Sequence, residues 1–220
     1  MASSIPTPET TSPFLQPHSA SLRIWHWLTF LFITGSIVTV IFNSTLLSPR
    51  DNVKMVQEQL QGKGVTITED QAFAVSHEYE DKMWEVHKYI GFGLAILLLA
   101  RIVIEFTQTE DEKLKNKMNN VKKMIAGNDS NKVEYTHFMR VRMIYAVFFL
   151  ILLGMVITGL SMAFGRDLGF SRTTYRVVKQ IHEILQYGMY LFVFIHLAGV
   201  IRAETGKIRG VVSGMIHGNR

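Results

Sequence analysis

Residues 177–202 read VVKQIHEILQYGMYLFVFIHLAGVIR, and this stretch decides the fold. Its 18 residues from Ile184 to Ile201 carry no charged side chain. That length suits a helix crossing roughly 30 Å of hydrocarbon. His182 lies just before the run and His196 inside it, 14 residues apart. Fourteen residues make close to four turns, so both imidazoles point nearly the same way, about 21 Å apart along the axis. An imidazole at membrane depth is costly and marks function by default.

Three more segments share this character. Ile24 to Ser48 is charge-free over 25 residues and Met143 to Gly165 over 23. Tyr89 to Ala100 has only 12, extended by Trp84 and Val86 on one side and by Ile102, Val103 and Ile104 on the other. The expected fold class is all-α, an integral membrane four-helix bundle, with spans near 22–47, 83–106, 142–165 and 177–202. The first span is too long and begins too late for a signal peptide, and no cleavage site follows it. The expected organisation is a disordered or extended segment over 1–20, rich in Ser, Thr and Pro. A membrane domain follows over 21–206, with an outer loop 48–82 and an inner loop 107–141, and then a tail over 207–220.

The chain of 220 residues is 48% hydrophobic. Mean hydropathy is only +0.17 because charges cluster between the apolar blocks. There is no cysteine, which excludes disulfides, Cys-ligated iron–sulfur clusters and covalently attached haem. The net charge of +5 fits basic loops against anionic lipid heads and calls for no nucleic acid. Four spans put both termini on one side. That side carries thirteen Lys and Arg against nine on the other, so the positive-inside rule places the termini in the cytoplasm.

Loop signals add detail. Thr68-Glu69-Asp70-Gln71 has the form of a capping box, so the helix entering the second span is expected to start near Glu69. Leu114, Met118, Val121 and Ile125 among lysines form an amphipathic pattern, suited to the inner leaflet, to a partner, or to packing on the domain itself.

Depth sorts the histidines. His26 lies near the inner surface, His87 and His182 near the outer, and His196 four turns further in. His87 and His182 can meet at one level and His26 and His196 at the other. A zinc or di-iron site wants histidines and carboxylates clustered at i, i+3 or i+4. Two axial imidazoles per site suit a low-spin haem, which then passes electrons and binds nothing at iron. A lone intramembrane histidine is as often a helix–helix hydrogen-bonding residue; four at matched depths are harder to explain so. Arg101, 14 residues after His87, is a candidate for a haem propionate or a quinone carbonyl, against the plain reading of a snorkelling arginine paired with Glu105. Arg172, Arg176 and Lys179 near the outer site read as interface anchors or propionate partners. Gly35, Gly91, Gly93, Gly154, Gly159 and Gly188 make room for a porphyrin or, more commonly, for close helix packing. His18, His77, His137 and His217 read as surface residues.

The segment Arg23-Ile24-Trp25-His26-Trp27-Leu28 resembles the first-span signature of the di-haem b-type cytochrome subunit of membrane-bound nickel–iron hydrogenases. So do His87 through Arg101, His182 through His196, and Arg202-Ala203-Glu204 with the tail to Arg220. The resemblance runs from about residue 18 to the C-terminus, and the wider family includes bacterial cytochrome b561. It implies two non-covalent haem b groups on His26, His87, His182 and His196, in the bacterial inner membrane. It also implies electron transfer between the quinone pool and an outer-side dehydrogenase or hydrogenase subunit, with a homo-oligomer as a further option. The chain would then be an electron-transfer subunit of an oxidoreductase complex. Two alternatives are a stand-alone superoxide:quinone oxidoreductase and a non-redox membrane protein whose histidines bind metal or relay protons.

Overall fold

The computed structural model describes residues 19–107, 132–206 and 210–218. Among them lie six helices: α1 (Ala20–Thr45), α2 (Pro49–Gln61), α3 (Glu69–Thr107), α4 (Lys132–Ala163), α5 (Arg172–Thr205) and α6 (Val211–His217). Four are long and apolar enough to cross a membrane: α1, α3, α4 and α5. The amphipathic pattern over 114–125 and most of the segment 1–20 lie outside the described residues.

Local chemistry sets the helix ends. The backbone N–H of Gln71 donates to Thr68 Oγ1 at 3.2 Å, and that of Thr68 donates to Gln71 Oε1 at 2.9 Å. This reciprocal capping box starts α3 at Glu69, as its sequence implies. With 39 residues α3 is about 58 Å long, nearly twice the hydrocarbon thickness, so much of its charged first half stands clear of the bilayer. The outer loop is thus mostly helical. It also contains α2, started by Pro49 at its first turn, a signal the composition-based reading of 48–82 passed over. Ser171 Oγ accepts from the N–H of Thr174 at 3.1 Å and opens α5 at Arg172, five residues before the expected start. At the other end the Glu204 carboxylate accepts from the N–H groups of Gly210, Val211 and Val212 at 3.2, 3.0 and 3.4 Å, and so caps α6.

Backbone contacts divide the chain into two compact units, one made of Trp25–Ala100 with Leu153–Ile184, the other of the remainder. In the first unit α1 and α3 run antiparallel in a fixed register. The Trp25 indole N–H donates to the Leu97 carbonyl at 2.6 Å. The Phe32 ring fills the place where a side chain at Gly93 would begin, and Ile90 Cδ1 stands 3.4 Å from the corresponding point at Gly35. Thr39 Oγ1 lies 2.8 Å from His87 Nδ1. Partner numbers fall along α3 as they rise along α1, the mark of an antiparallel pair.

The second unit holds the matching contacts of α4 with α5. Ile151 Cδ1 is 3.4 Å from the Cβ position of Gly188, Phe148 stacks on Phe192 at 4.5 Å, and the Tyr145 ring lies 6.2 Å from that of His196.

What the helices bury is unusual for water and ordinary for lipid. The buried residues of α1 are Trp25, Thr29, Thr39 and Asn43, three of them polar. Its large apolar side chains, among them Ile24, Leu31 and Ile41, face outward. Lipid tails are as apolar as leucine, so helices associate through small and polar residues and leave the aliphatic ones outside.

This packing yields a prediction. Gly93→Leu must displace the Phe32 ring, and overpacking of this kind costs about 1–3 kcal/mol. A lower thermal midpoint in detergent is expected, whereas Gly199→Ala, which meets nothing within 4 Å, leaves it unchanged or raises it. Equal effects of the two variants would contradict the α1–α3 register.

Candidate functional site

Three of the four candidate histidines, His26, His87 and His182, belong to the first unit, and His196 belongs to the second. All four are half-buried.

His87 and His182 have the fullest surroundings. His87 sits on α3 with Nδ1 2.8 Å from Thr39 Oγ1 and with the Trp84 ring edge-on at 5.4 Å. His182 sits on α5 with Nδ1 2.8 Å from Thr158 Oγ1. Gly159 packs flush against this second imidazole: a Cβ there would stand 3.4 Å from His182 Cε1. Thr39 and Thr158 are 5% and 9% exposed, so each hydroxyl must find its partners inside the protein. Both threonines escaped sequence reasoning. Their signal was nonetheless present, because each is a hydroxyl inside a charge-free run at the depth of the histidine it meets.

Next to this pair a cavity of about 730 Å³ is lined by Lys88, Met162, Arg166, Asp167, Arg172 and Tyr175, among others. Met162 is one turn beyond Thr158 on α4, and Tyr175 is two turns before His182 on α5, so the cavity continues the faces that carry the histidine site. Three cations against one carboxylate leave it two positive charges. Arg172 was a sequence candidate here; Lys88 and Arg166 were not. Lys179 turns instead to Glu183 at 3.7 Å.

The residues present suit a planar dicarboxylate macrocycle. Each of two imidazoles has a glycine within reach on its own or the neighbouring helix. Gly159 admits close approach to His182, and Gly91, one turn after His87, faces open space. The adjoining cavity's surplus of two positive charges matches two propionates. Asn43, one turn from Thr39 and 4% exposed, has neither amide atom in a hydrogen bond among the described residues. Thr29, one turn from His26 and also 4% exposed, has an unpartnered hydroxyl. Buried polar groups left so are costly and point to a partner outside the polypeptide. Among the described residues no three His, Cys, Asp or Glu side chains converge as a metal site.

In the second unit, His196 lies between aromatic rings. Phe192 stacks on it at 5.7 Å with planes 10° apart. Arg101 donates from Nη2 to Glu105 Oε2 at 3.0 Å and stands 5.9 Å over the Phe149 ring. The ion pair is the plain reading of Arg101 weighed from the sequence. The guanidinium's Nη1 is nevertheless buried and lacks a hydrogen-bond partner among the described residues. His77 and His217 are exposed, His77 against Glu80 at 2.9 Å. His18 and the His137 side chain lie outside the described residues.

Glu105→Gln leaves the Arg101 charge without its counter-ion in a largely buried position and is expected to cost about 1–3 kcal/mol in detergent unfolding. Arg101→Met combined with Glu105→Gln is expected to recover part of that loss, since both charges go together. Additive losses in the double variant would contradict the pairing.

A family model described as prokaryotic cytochrome b561 matches residues 17–218. No match is found among curated proteins or among solved structures.

Proposed function

The chain belongs to the prokaryotic cytochrome b561 family, and from that premise we propose that it is a di-haem wire linking an outer-side redox partner to the membrane quinone pool. Membership makes it a multi-pass bacterial membrane protein with four spanning helices, of a family that binds haem b and serves transmembrane electron transfer.

The observation that carries the finer reading is the His87–His182 neighbourhood. There, two imidazoles from different helices, each 2.8 Å from a buried threonine hydroxyl, stand beside a cavity whose two surplus positive charges match two carboxylates. In this proposal His87 and His182 hold one iron, and Lys88, Arg166 and Arg172 hold the propionates. His26 and His196 hold the other iron, on the depth argument alone. When bound, haem supplies a one-electron couple; bis-imidazole ligation leaves no open position at iron and so favours electron transfer over substrate binding.

The polypeptide does the rest. Helix α5 carries a histidine for each level, 14 residues apart, which fixes the spacing of the two sites. Gly159 keeps the His182 ring accessible. Arg101, beside Glu105 and with a buried N–H to spare, is the proposed contact for a propionate or a quinone carbonyl on the inner side.

The proposed orientation has cytoplasmic termini, from the basic excess on that side. The outer partner would then meet α2 and the first turns of α3, where Met55, Val75 and Tyr79 are exposed beyond the span. A dehydrogenase or hydrogenase subunit is the proposed class, with the chain as the electron-transfer subunit.

Liposomes provide the test. Protein in vesicles loaded with a quinone-reducing system is expected to reduce a membrane-impermeant oxidant outside, and His182→Ala is expected to abolish that flux. A haem-loaded protein that passes no electrons across the bilayer would overturn the wire. Gentle extraction that brings down a stoichiometric soluble redox subunit supports the partner; a fully active single chain with superoxide as donor contradicts it. Lys88→Gln, Arg166→Gln and Arg172→Gln together are expected to lower haem occupancy at the His87–His182 site, read as haem per chain.

A further inference from the structure

The two threonine–histidine contacts are built alike. Thr39 Oγ1 lies 2.7 Å from the carbonyl oxygen of Ser36, three residues earlier on α1, and 2.8 Å from His87 Nδ1. Thr158 Oγ1 lies 2.6 Å from the carbonyl of Gly154, 3.2 Å from that of Met155, three residues earlier on α4, and 2.8 Å from His182 Nδ1.

A hydroxyl has one proton and a carbonyl oxygen has none. At 2.6–2.7 Å the contact between hydroxyl and carbonyl oxygens is a hydrogen bond only if the threonine's proton lies between them. That leaves the hydroxyl only lone pairs to offer the imidazole. The ring nitrogen facing it must therefore carry the proton.

We propose that Thr39 and Thr158 are positioning residues that lock His87 and His182 as Nδ1–H tautomers and leave both Nε2 lone pairs for iron. The inference rests on the haem reading for its ligand and on the hydrogen-bond geometry for the tautomer. Each threonine acts through its histidine. Accepting a hydrogen bond from the far ring nitrogen fixes ring orientation and raises the basicity of the ligating nitrogen. A more basic imidazole stabilises the oxidised iron, so the lock holds this site's reduction potential down. The arrangement is repeated on two helix pairs, α1 with α3 and α4 with α5, so the two axial ligands of one iron would be set alike.

The test uses the full-length protein in detergent. Thr39→Val and Thr158→Val keep the branched shape and remove the acceptor. Each is expected to retain haem, and to raise the potential of one of the two redox waves by up to about tenfold in the reduction equilibrium, which for one electron is about 59 mV. Thr39→Ser and Thr158→Ser are expected to restore it. Valine variants that keep haem with both waves unmoved would overturn the proposal, and so would a shift that serine fails to rescue. Nitrogen NMR of ¹⁵N-histidine-labelled wild-type protein needs no variant: Nδ1 of His87 and His182 is expected to bear the proton, and a proton on Nε2 of either would overturn the lock. Failure of the haem reading looks different, because His87→Ala and His182→Ala would then leave the spectrum intact while Nδ1 of both rings in the wild-type protein is protonated.

Discussion

The costliest requirement in this protein is to keep polar side chains inside a lipid-facing helix bundle, and the rest of the structure follows from it. Three of the four buried residues on α1 are Thr29, Thr39 and Asn43, while its large aliphatic residues face outward. Hydrocarbon offers such groups no water. Each must find a partner on a neighbouring helix or on a bound group. Thr39 finds His87. Trp25 reaches the Leu97 carbonyl, which fixes the depth at which α1 meets α3. Asn43 and Thr29 find no partner among the described residues, and each lies one turn from a residue of the proposed haem sites.

Glycine and threonine divide the work of shaping the His87–His182 site. Gly93 admits Phe32 and draws α1 against α3, which sets the height of Thr39 opposite His87. Gly159 admits the His182 imidazole itself, and Thr158 beside it takes the ring nitrogen. Two helix pairs with different sequences thus arrive at the same local chemistry: a hydroxyl committed to its own helix carbonyl, facing an imidazole on the next helix.

Much of this was legible in the sequence, for physical reasons. Charge-free runs of bilayer length mark all-α spans whatever surrounds them, and the 14-residue interval of His182 and His196 places them four turns apart in any straight helix. The capping box at Thr68 is local, so it could be read locally. Helix α2 was hidden because its residues are too polar to be read as a span, and only Pro49 betrays its start. Lys88 and Arg166 escaped because their shared cavity is a property of three segments brought together in space. Thr39 and Thr158 escaped for a related reason. A hydroxyl in a span hydrogen-bonds its own helix by default, and its second contact appears only when the neighbouring helix is in register.

The central claim is that one iron is shared by His87 and His182 and a second by His26 and His196. The most direct measurement is haem per chain in wild-type protein and in the four single His→Ala variants, read from the reduced-minus-oxidised spectrum. Two haems are expected in the wild type. His87→Ala and His182→Ala should lose the same one, and His26→Ala and His196→Ala the other. A single haem in the wild type, or loss of different haems from His87→Ala and His182→Ala, would contradict the claim.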